Sequence, residues 1–469
     1  MHLIKNLPDD RWDSEAMFVR YAGREAHFDP RSLKFDKSAT GLLSQPDVAP
    51  ANPEVNESIQ VLASSRRSLQ RLVLNVANTC NLDCVYCYAQ GGDYGGPRER
   101  MTFEIGRASL ERFFNSYDEV TTVQFFGGEA LLNWKVIRSL CEYGWELADR
   151  LSKPRPVWML STNGTILNDE IIEMIDKYDL KVTVSCDGPP EITDRLRPMR
   201  NGTESVSQVI AGNIRKLRET TGQPCQIEGT YTSLHVQEGC RVVDVLDYVY
   251  NYLGIVAVHM PPNVLSAEGP HDRSDPHGIL PEHLEKVCDG YAEAVAATVR
   301  ALATKATGSA ALLGSAVDII EELVFPTSYE HPVICPAGSD TIAVDSDGSV
   351  YPCFMFYRRQ DFRLGHIRAP KEIKADRQVA FLQSLNRRNA NSPLNDSWAR
   401  RFLAGCAGGN FFQRGDHGIV GASDIALAEV MVSAAVVELA HLDEIGGDID
   451  YMPLALRFYR TYLGAPALG

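Results

Sequence analysis

From Leu72 onward, short apolar runs alternate with stretches in which apolar residues recur at helical spacing, and the alternation repeats six times. The runs are Leu72–Thr79, Val120–Gly127, Val157–Thr162, Lys181–Cys186, Gln226–Tyr231 and Ile255–Met260, most of them β-branched and apolar throughout. That is how strands of a helix-covered parallel sheet read. Between them, Phe103–Phe114, Lys135–Leu151, Asp169–Tyr178, Ser205–Glu219 and Val242–Leu253 predict amphipathic helices. Six strand–helix units are too few to close an eight-stranded barrel. The pattern therefore predicts an α/β fold built on a partial (β/α)6 barrel, open along one side and able to admit something as large as a peptide.

The flanks read differently. Met17–Tyr21 and Glu25–Phe28 alternate like two strands about a turn, which predicts a small hairpin, and Pro46, Pro50 and Pro53 mark a linker. Beyond the sixth strand lies a Gly- and Pro-rich loop, 269–278, whose His271 and His277 have no cysteine beside them and read as loop surface. Two helices follow, Pro281–Leu302 and Ala310–Leu323. Then Thr341 to Cys353 reads as strand, turn and strand, with Asp347-Gly348 as a strong hairpin signal. Asp424–Leu442 and Tyr451–Leu463 predict two helices that pack on the barrel. The expected division is 1–65 for the hairpin element, 70–305 for the barrel, 306–332 for a helical linker, 333–415 for a small second domain and 416–469 for the C-terminal helices.

Composition narrows the class. The 469 residues, 44% of them hydrophobic, can bury a sizeable core. A formal charge of −15 argues against nucleic acid or anionic membrane as the main partner, since both reward a surplus of Lys and Arg. The first ten residues meet charge at once, and the longest apolar stretch, Ile425 to Ala440, contains Glu429 and Glu438 and is too short to span a bilayer. These features predict a soluble cytoplasmic protein with no membrane partner. Eleven cysteines, three on one tight loop, fit metal ligation in a reducing compartment better than a disulfide framework.

That loop carries the chemistry. Cys80-Asn-Leu-Asp-Cys84-Val-Tyr-Cys87 offers three thiolates at C-x3-C-x2-C spacing, a ligand set for three irons of a [4Fe-4S] cube whose fourth iron is left for a substrate or cofactor. A closed zinc site wants four ligands, and no fourth Cys or His lies within fifty residues on either side. The motif, with Tyr86 before its last cysteine, resembles the signature of the radical S-adenosylmethionine (SAM) enzymes.

In parallel barrels chemistry collects where strands end. The second strand ends in Phe125-Phe126-Gly127-Gly128-Glu129, where glycines allow close approach to the backbone and a carboxylate can receive an ammonium group. In the radical SAM enzymes such a Gly-Gly-Glu motif binds the methionine amino group, and the resemblance implies that role for Gly127, Gly128 and Glu129. It further implies cofactor contacts for Tyr86, Ser161, Asn163 and Ser185, and makes Arg197 the partner of the methionine carboxylate, for which a guanidinium is apt chemistry.

A second group follows: Cys335, Cys353 just past the hairpin, and Cys406 in Gly-Cys-Ala-Gly-Gly. Three thiolates again suffice for one cluster with an incomplete ligand set. The arrangement resembles the SPASM and Twitch extensions of peptide-modifying radical SAM enzymes. Where SPASM domains read C-x2-C-x5-C-x3-C, this chain has Ser397, Arg400, Cys406 and Asn410, which predicts one auxiliary [4Fe-4S] cluster rather than two. Asp340, Asp345, Asp347, Asp416 and His417 are candidates for its fourth ligand, and a site left to substrate or water is the alternative. Cys141, Cys225, Cys240 and Cys288 read as packing, as does Cys186.

The resemblance spans about residues 70 to 415 and is nearest to thioether-forming maturases of ranthipeptides and sactipeptides and to quinohaemoprotein amine dehydrogenase maturases. It implies an enzyme that uses SAM and its cluster to abstract hydrogen from a ribosomally synthesised precursor peptide and install a cross-link, a cysteine thioether above all. The electron donor would be external, such as a flavodoxin or ferredoxin. Rival expectations are a carbon–carbon cross-link, a small-alcohol dehydrogenase and a non-catalytic iron–sulfur sensor.

Overall fold

A computed structural model describes residues 17–37, 68–263, 277–304, 308, 310–326, 332–369, 375–387, 392–403 and 405–463. The proline-marked linker and His271 lie outside the described residues. The chain opens with β1 (Met17–Tyr21), β2 (Arg24–Asp29) and β3 (Lys34–Asp36), an antiparallel three-stranded sheet rather than a two-stranded hairpin.

The barrel units follow as β4 (Ser68–Ala77), α1 (Phe103–Ser116), β5 (Glu119–Gly127), α2 (Trp134–Leu151), β6 (Val157–Thr162), α3 (Asp169–Lys177), β7 (Lys181–Ser185), α4 (Pro190–Leu196), α5 (Val206–Thr221), β8 (Gln226–Glu228), α6 (Ser233–Glu238), α7 (Val242–Tyr248) and β9 (Ala257–His259). Short polar side chains start the main helices: Thr102, Asn168 and Ser205 each accept from the backbone N–H three residues on. One turn of π-helix, Val249–Leu253, continues α7.

All six strands are parallel and neighbours in order. Their outward residues, such as Leu160, Val182 and Val184, meet Ile175, Ile214 and Leu217 of the helices. Their inward residues differ from the expectation of strands apolar on both faces: Gln124, Met159, Ser161, Ser185 and Glu228 are only half-buried. The concave face is open, so it has no apolar layer to satisfy.

The sheet is larger than six strands. After α8 (Leu284–Ala303), a two-residue strand β10 (Leu312–Leu313) pairs in parallel with β9 before α9 (Gly314–Val324) begins. The start of the helix expected at Ala310 is therefore a strand. The predicted hairpin forms as β11 (Thr341–Val344) and β12 (Ser349–Tyr351), joined by β13 (Gly365–His366). It is not a separate sheet. β11 lies parallel to β4, with Thr341 opposite Arg71 and Val344 opposite Leu74, giving the order β10-β9-β8-β7-β6-β5-β4-β11-β12-β13. The remaining helices are α10 (Ala375–Ser384), α11 (Ala407–Arg414), α12 (Ala422–Ala440) and α13 (Met452–Tyr462).

The N-terminal sheet is tied to α12 through Glu438, which is fully buried and paired with Arg24 and, at 3.0 and 2.8 Å, with Arg300 of α8. Cys141, Cys186, Cys225 and Cys288 are buried, and Cys240 is half-buried. No helix among the described residues is long and apolar enough to cross a membrane.

Candidate active site

The cysteine loop leaves the C-terminal end of β4 and folds back over the mouth of the barrel. Its path is set by backbone against backbone. The Gly128 N–H donates to Ala77 O at 2.7 Å and the Glu129 N–H to Thr79 O at 2.9 Å. A Cβ on Gly128 would lie 2.5 Å from Thr79 O and 2.8 Å from Gly92 Cα, and one on Gly127 would lie 2.6 Å from Ala77 O. The close approach that glycine permits here is made by the chain's own cysteine loop, where the sequence suggests a ligand.

Glu129 is fully buried and holds the next strand end. Its Oε1 accepts from Leu131 N at 2.8 Å and from Thr162 Oγ1 at 2.7 Å, and its Oε2 from Asn163 N at 2.6 Å. Burial pushes its carboxyl up, and these three bonds pull it back. Asn163 in turn reaches the loop, donating to Asn81 Oδ1 at 2.9 Å and to Cys80 Sγ at 3.7 Å. Ser161 accepts from Gln124 Nε2 at 2.8 Å and, like Ser185, is half-buried on the concave face.

Across the mouth stands a group that sequence reasoning does not single out. Asp187, fully buried just past β7, receives both forks of Arg197 (Nε at 2.8 Å, Nη2 at 3.0 Å), the Tyr86 hydroxyl at 2.7 Å and the Thr230 N–H at 2.9 Å. Arg197 also lies 5.5 Å from the centre of the Tyr86 ring. Behind them the buried His235 takes the Thr232 N–H on Nδ1 at 3.1 Å, so its Nε2–H donates to Asp187 O at 2.8 Å. Arg197, expected to be open to a carboxylate, thus has a carboxylate already on two of its nitrogens. The signal in the sequence is an acid at a strand end followed ten residues later by a buried arginine, a pairing that local pattern does not reveal.

The three thiols of the loop are free and feel one another's charge. Burial pushes Cys80 up to about 11, with Glu129 adding to it, and Cys84 up to about 12; Arg197 opposes the latter, and Cys87, Asp187 and Cys80 reinforce it. Among the described residues, no group of three or more His, Cys, Asp or Glu side chains is arranged to hold a single metal ion. Three half-buried free thiols on one short loop, with Cys80 and Cys84 each feeling the charge of Cys87, are the donor set of an iron–sulfur cluster. The cluster fits the site.

The second set is built likewise. Cys335 and Cys353 are half-buried and Cys406 is exposed. Burial, then Cys335 and Cys406, pushes Cys353 up to about 12; crowding of the Cys406 sulfur by neighbouring atoms, then Cys335, raises its thiol, an effect that solvent at this exposed residue weakens. Cys406 caps α11, its sulfur accepting from Gly409 N at 3.3 Å and lying 3.7 Å from the Met355 sulfur. The candidates for a fourth ligand are otherwise engaged. Asp345 accepts from Asn75, Asn78 and Ser346 at 2.7 to 3.0 Å, Asp347 and Asp416 close their own turns, and His417 meets Ser384 Oγ at 2.7 Å. Asp340 is also in contact with a partner. Ser397, in a SPASM cysteine position, donates to Glu429 at 2.8 Å.

An aromatic wall separates the two sets. Phe126, at the end of β5, lies 4.4 Å from Phe354, the neighbour of Cys353. Tyr88, the neighbour of Cys87, meets Phe412 of α11 at 5.7 Å and Tyr94 at 6.0 Å, and Tyr94 meets Tyr357 at 5.4 Å.

Comparison with known proteins agrees with this geometry. Residues 74–247 match the radical SAM superfamily, and residues 335–390 match SPASM, an iron–sulfur cluster-binding domain. A cysteine-type anaerobic sulfatase-maturating enzyme of Clostridium novyi is 24% identical over 64% of this chain and 77% of its own length. The radical SAM cyclopropyl synthase TigE of Paramaledivibacter caminithermalis is 27% identical over 30% of this chain. For TigE and a second curated relative the match spans less than half of their length, 31% and 47%. The solved structure of anSMEcpe with bound AdoMet shares the fold, with a TM-score of 0.62 over 84% of this chain and 98% of its own at 16% identity; the same enzyme with AdoMet and the Cp18Cys peptide gives 0.57. The chain thus carries a radical SAM domain, which binds a [4Fe-4S] cluster and S-adenosylmethionine, followed by a SPASM domain, which binds auxiliary iron–sulfur clusters.

Proposed function

We infer that this protein is a maturase that joins a cysteine sulfur to a carbon within a ribosomally synthesised precursor peptide. The observation that carries the reading is the pairing of β11 with β4, which sets the second group of thiols beside the first across one aromatic wall. Similarity to an anaerobic sulfatase-maturating enzyme, and shared fold with a relative solved with a peptide bound, support a peptide or protein substrate.

In this reading Cys80, Cys84 and Cys87 hold the first cluster, and Cys335, Cys353 and Cys406 an auxiliary one. When bound, cluster and SAM supply radical chemistry, the removal of a hydrogen atom from an unactivated carbon. The chain's own residues bind and orient. The Leu82 and Asn163 N–H groups soften the charge on Cys80. Glu129, with three donors already on its carboxylate, would give its remaining lone pair to the methionine ammonium, and Ser161 and Ser185 would serve the ribose. Arg197, whose Nε and Nη2 are held by Asp187, would offer its Nη1 to the methionine carboxylate, and Asp187 would orient the guanidinium for it. Electrons come from an external flavodoxin or ferredoxin. A carbon–carbon cross-link is the second reading, favoured by the match to TigE.

Co-expression with a Cys-containing precursor encoded beside the gene tests this. The thioether reading requires a peptide two hydrogens lighter with its cysteine blocked to alkylation. The same mass loss with a free thiol supports the carbon–carbon reading, and unchanged mass with every such precursor refutes both.

A further inference from the structure

The concave face carries one more rung that neither the cysteine loop nor the strand-end motifs use. Parallel register sets Ser185, Glu228 and His259 side by side at the ends of β7, β8 and β9. Strand neighbours of this kind lie about 4.8 Å apart, so the rung steps outward from the cofactor side toward the open edge of the barrel. Glu228 is half-buried and His259 exposed. Their backbones are fixed, since Cys186 N donates to Glu228 O and Gly229 N to His259 O, both at 2.9 Å. Their side chains carry no hydrogen bond or ion pair among the described residues, whereas the other buried acids of the mouth, Glu129 and Asp187, have three and four donors each.

A carboxylate and an imidazole on neighbouring strand ends, without a side-chain partner among the described residues and accessible to solvent, are a proton acceptor and a donor–acceptor waiting for a partner. We propose that Glu228 and His259 form the substrate side of the site, holding the peptide against the cofactor side marked by Ser185 and accepting the proton that the reacting cysteine thiol loses as its sulfur bonds to carbon. The S–H bond breaks and its proton goes to the Glu228 carboxylate or through His259; the sulfur's electron pair bonds to the carbon from which a 5'-deoxyadenosyl radical would have taken a hydrogen atom, and the one surplus electron would pass to an oxidised iron–sulfur cluster held by the second cysteine set. This assignment rests on the peptide reading above.

The test is a footprint and a ratio. In the reconstituted protein, His259 is labelled with an imidazole-specific acylating reagent and read by mass spectrometry, without addition, with SAM, and with SAM plus the precursor peptide. Protection of His259 is expected only with peptide. Glu228→Gln should also lower bridges formed per 5'-deoxyadenosine released by about 10²-fold, the usual worth of a positioned base. Protection by SAM alone, or an unchanged ratio in Glu228→Gln, overturns the assignment. Wild type that cross-links its peptide with His259 still open to reagent sinks this inference alone; wild type that cross-links nothing sinks the peptide reading and takes the assignment with it.

Discussion

Asp187→Ala is the sharpest single probe of the mouth. The substitution strips one carboxylate from a site where Asp187 is fully buried and Arg197 is 8% exposed. Breaking a buried pair by removing one partner costs about 3–5 kcal/mol, because the other charge is left without compensation. The Tyr86 hydroxyl and Thr230 N–H lose their acceptor too, each worth about 1–3 kcal/mol if it stays dry. The four bonds share one network, so these figures overlap, and about 4–6 kcal/mol is the reasonable total. At about 2–4 °C per kcal/mol for a domain of this size, calorimetry should show a fall of about 8–24 °C. Asp187→Ala combined with Arg197→Met should recover about 3 kcal/mol of that, since an apolar pair of similar volume removes the stranded charge. A loss under about 1 kcal/mol, the worth of an exposed pair, would refute the reasoning. So would a double variant no more stable than the single one.

Three further outcomes follow from particular contacts. Gly128→Ala puts a methyl 2.5 Å from Thr79 O, which must move the cysteine loop; iron content after anaerobic reconstitution should drop by about half, one of two clusters, with about 1–3 kcal/mol of stability lost. Glu438→Ala removes the buried carboxylate that ties Arg24 of β2 to α12 and leaves Arg24 and the half-exposed Arg300 to solvent, so the sheet of residues 17–37 should become the first site of limited proteolysis, at a cost of about 1.5–3 kcal/mol. Replacing Cys335, Cys353 and Cys406 together by Ser should remove about four irons per chain, the content of one auxiliary cluster, while iron counts unchanged from wild type would contradict their ligand role.

Much of this is legible in the sequence because it is local. A strand of the barrel is a run of apolar residues, and a cysteine loop at its end is visible as spacing, so the six strands and the thiol triplet of Cys80, Cys84 and Cys87 can be read from residue order alone. What escapes is non-local. Nothing in Thr341–Val344 announces that it pairs with Arg71–Leu74 rather than forming a sheet of its own. Leu312-Leu313 is too short to be told from the helix it precedes. The polar inward faces of the strands are averaged into their apolar outward faces, which hides the rung that ends in Glu228 and His259. Gly128 is legible as a close approach, but not as an approach by Thr79 and Gly92. Arg197 is legible as a cation for a carboxylate, but the acid that holds it, Asp187, looks like part of a turn.

The central claim is that Cys80, Cys84 and Cys87 together seat a cluster at which SAM is cleaved. Anaerobically reconstituted wild type should release 5'-deoxyadenosine from SAM under a strong reductant, and a variant with all three cysteines changed to Ala should release none while still holding the irons of the auxiliary site. Cleavage that persists in that variant would contradict the account.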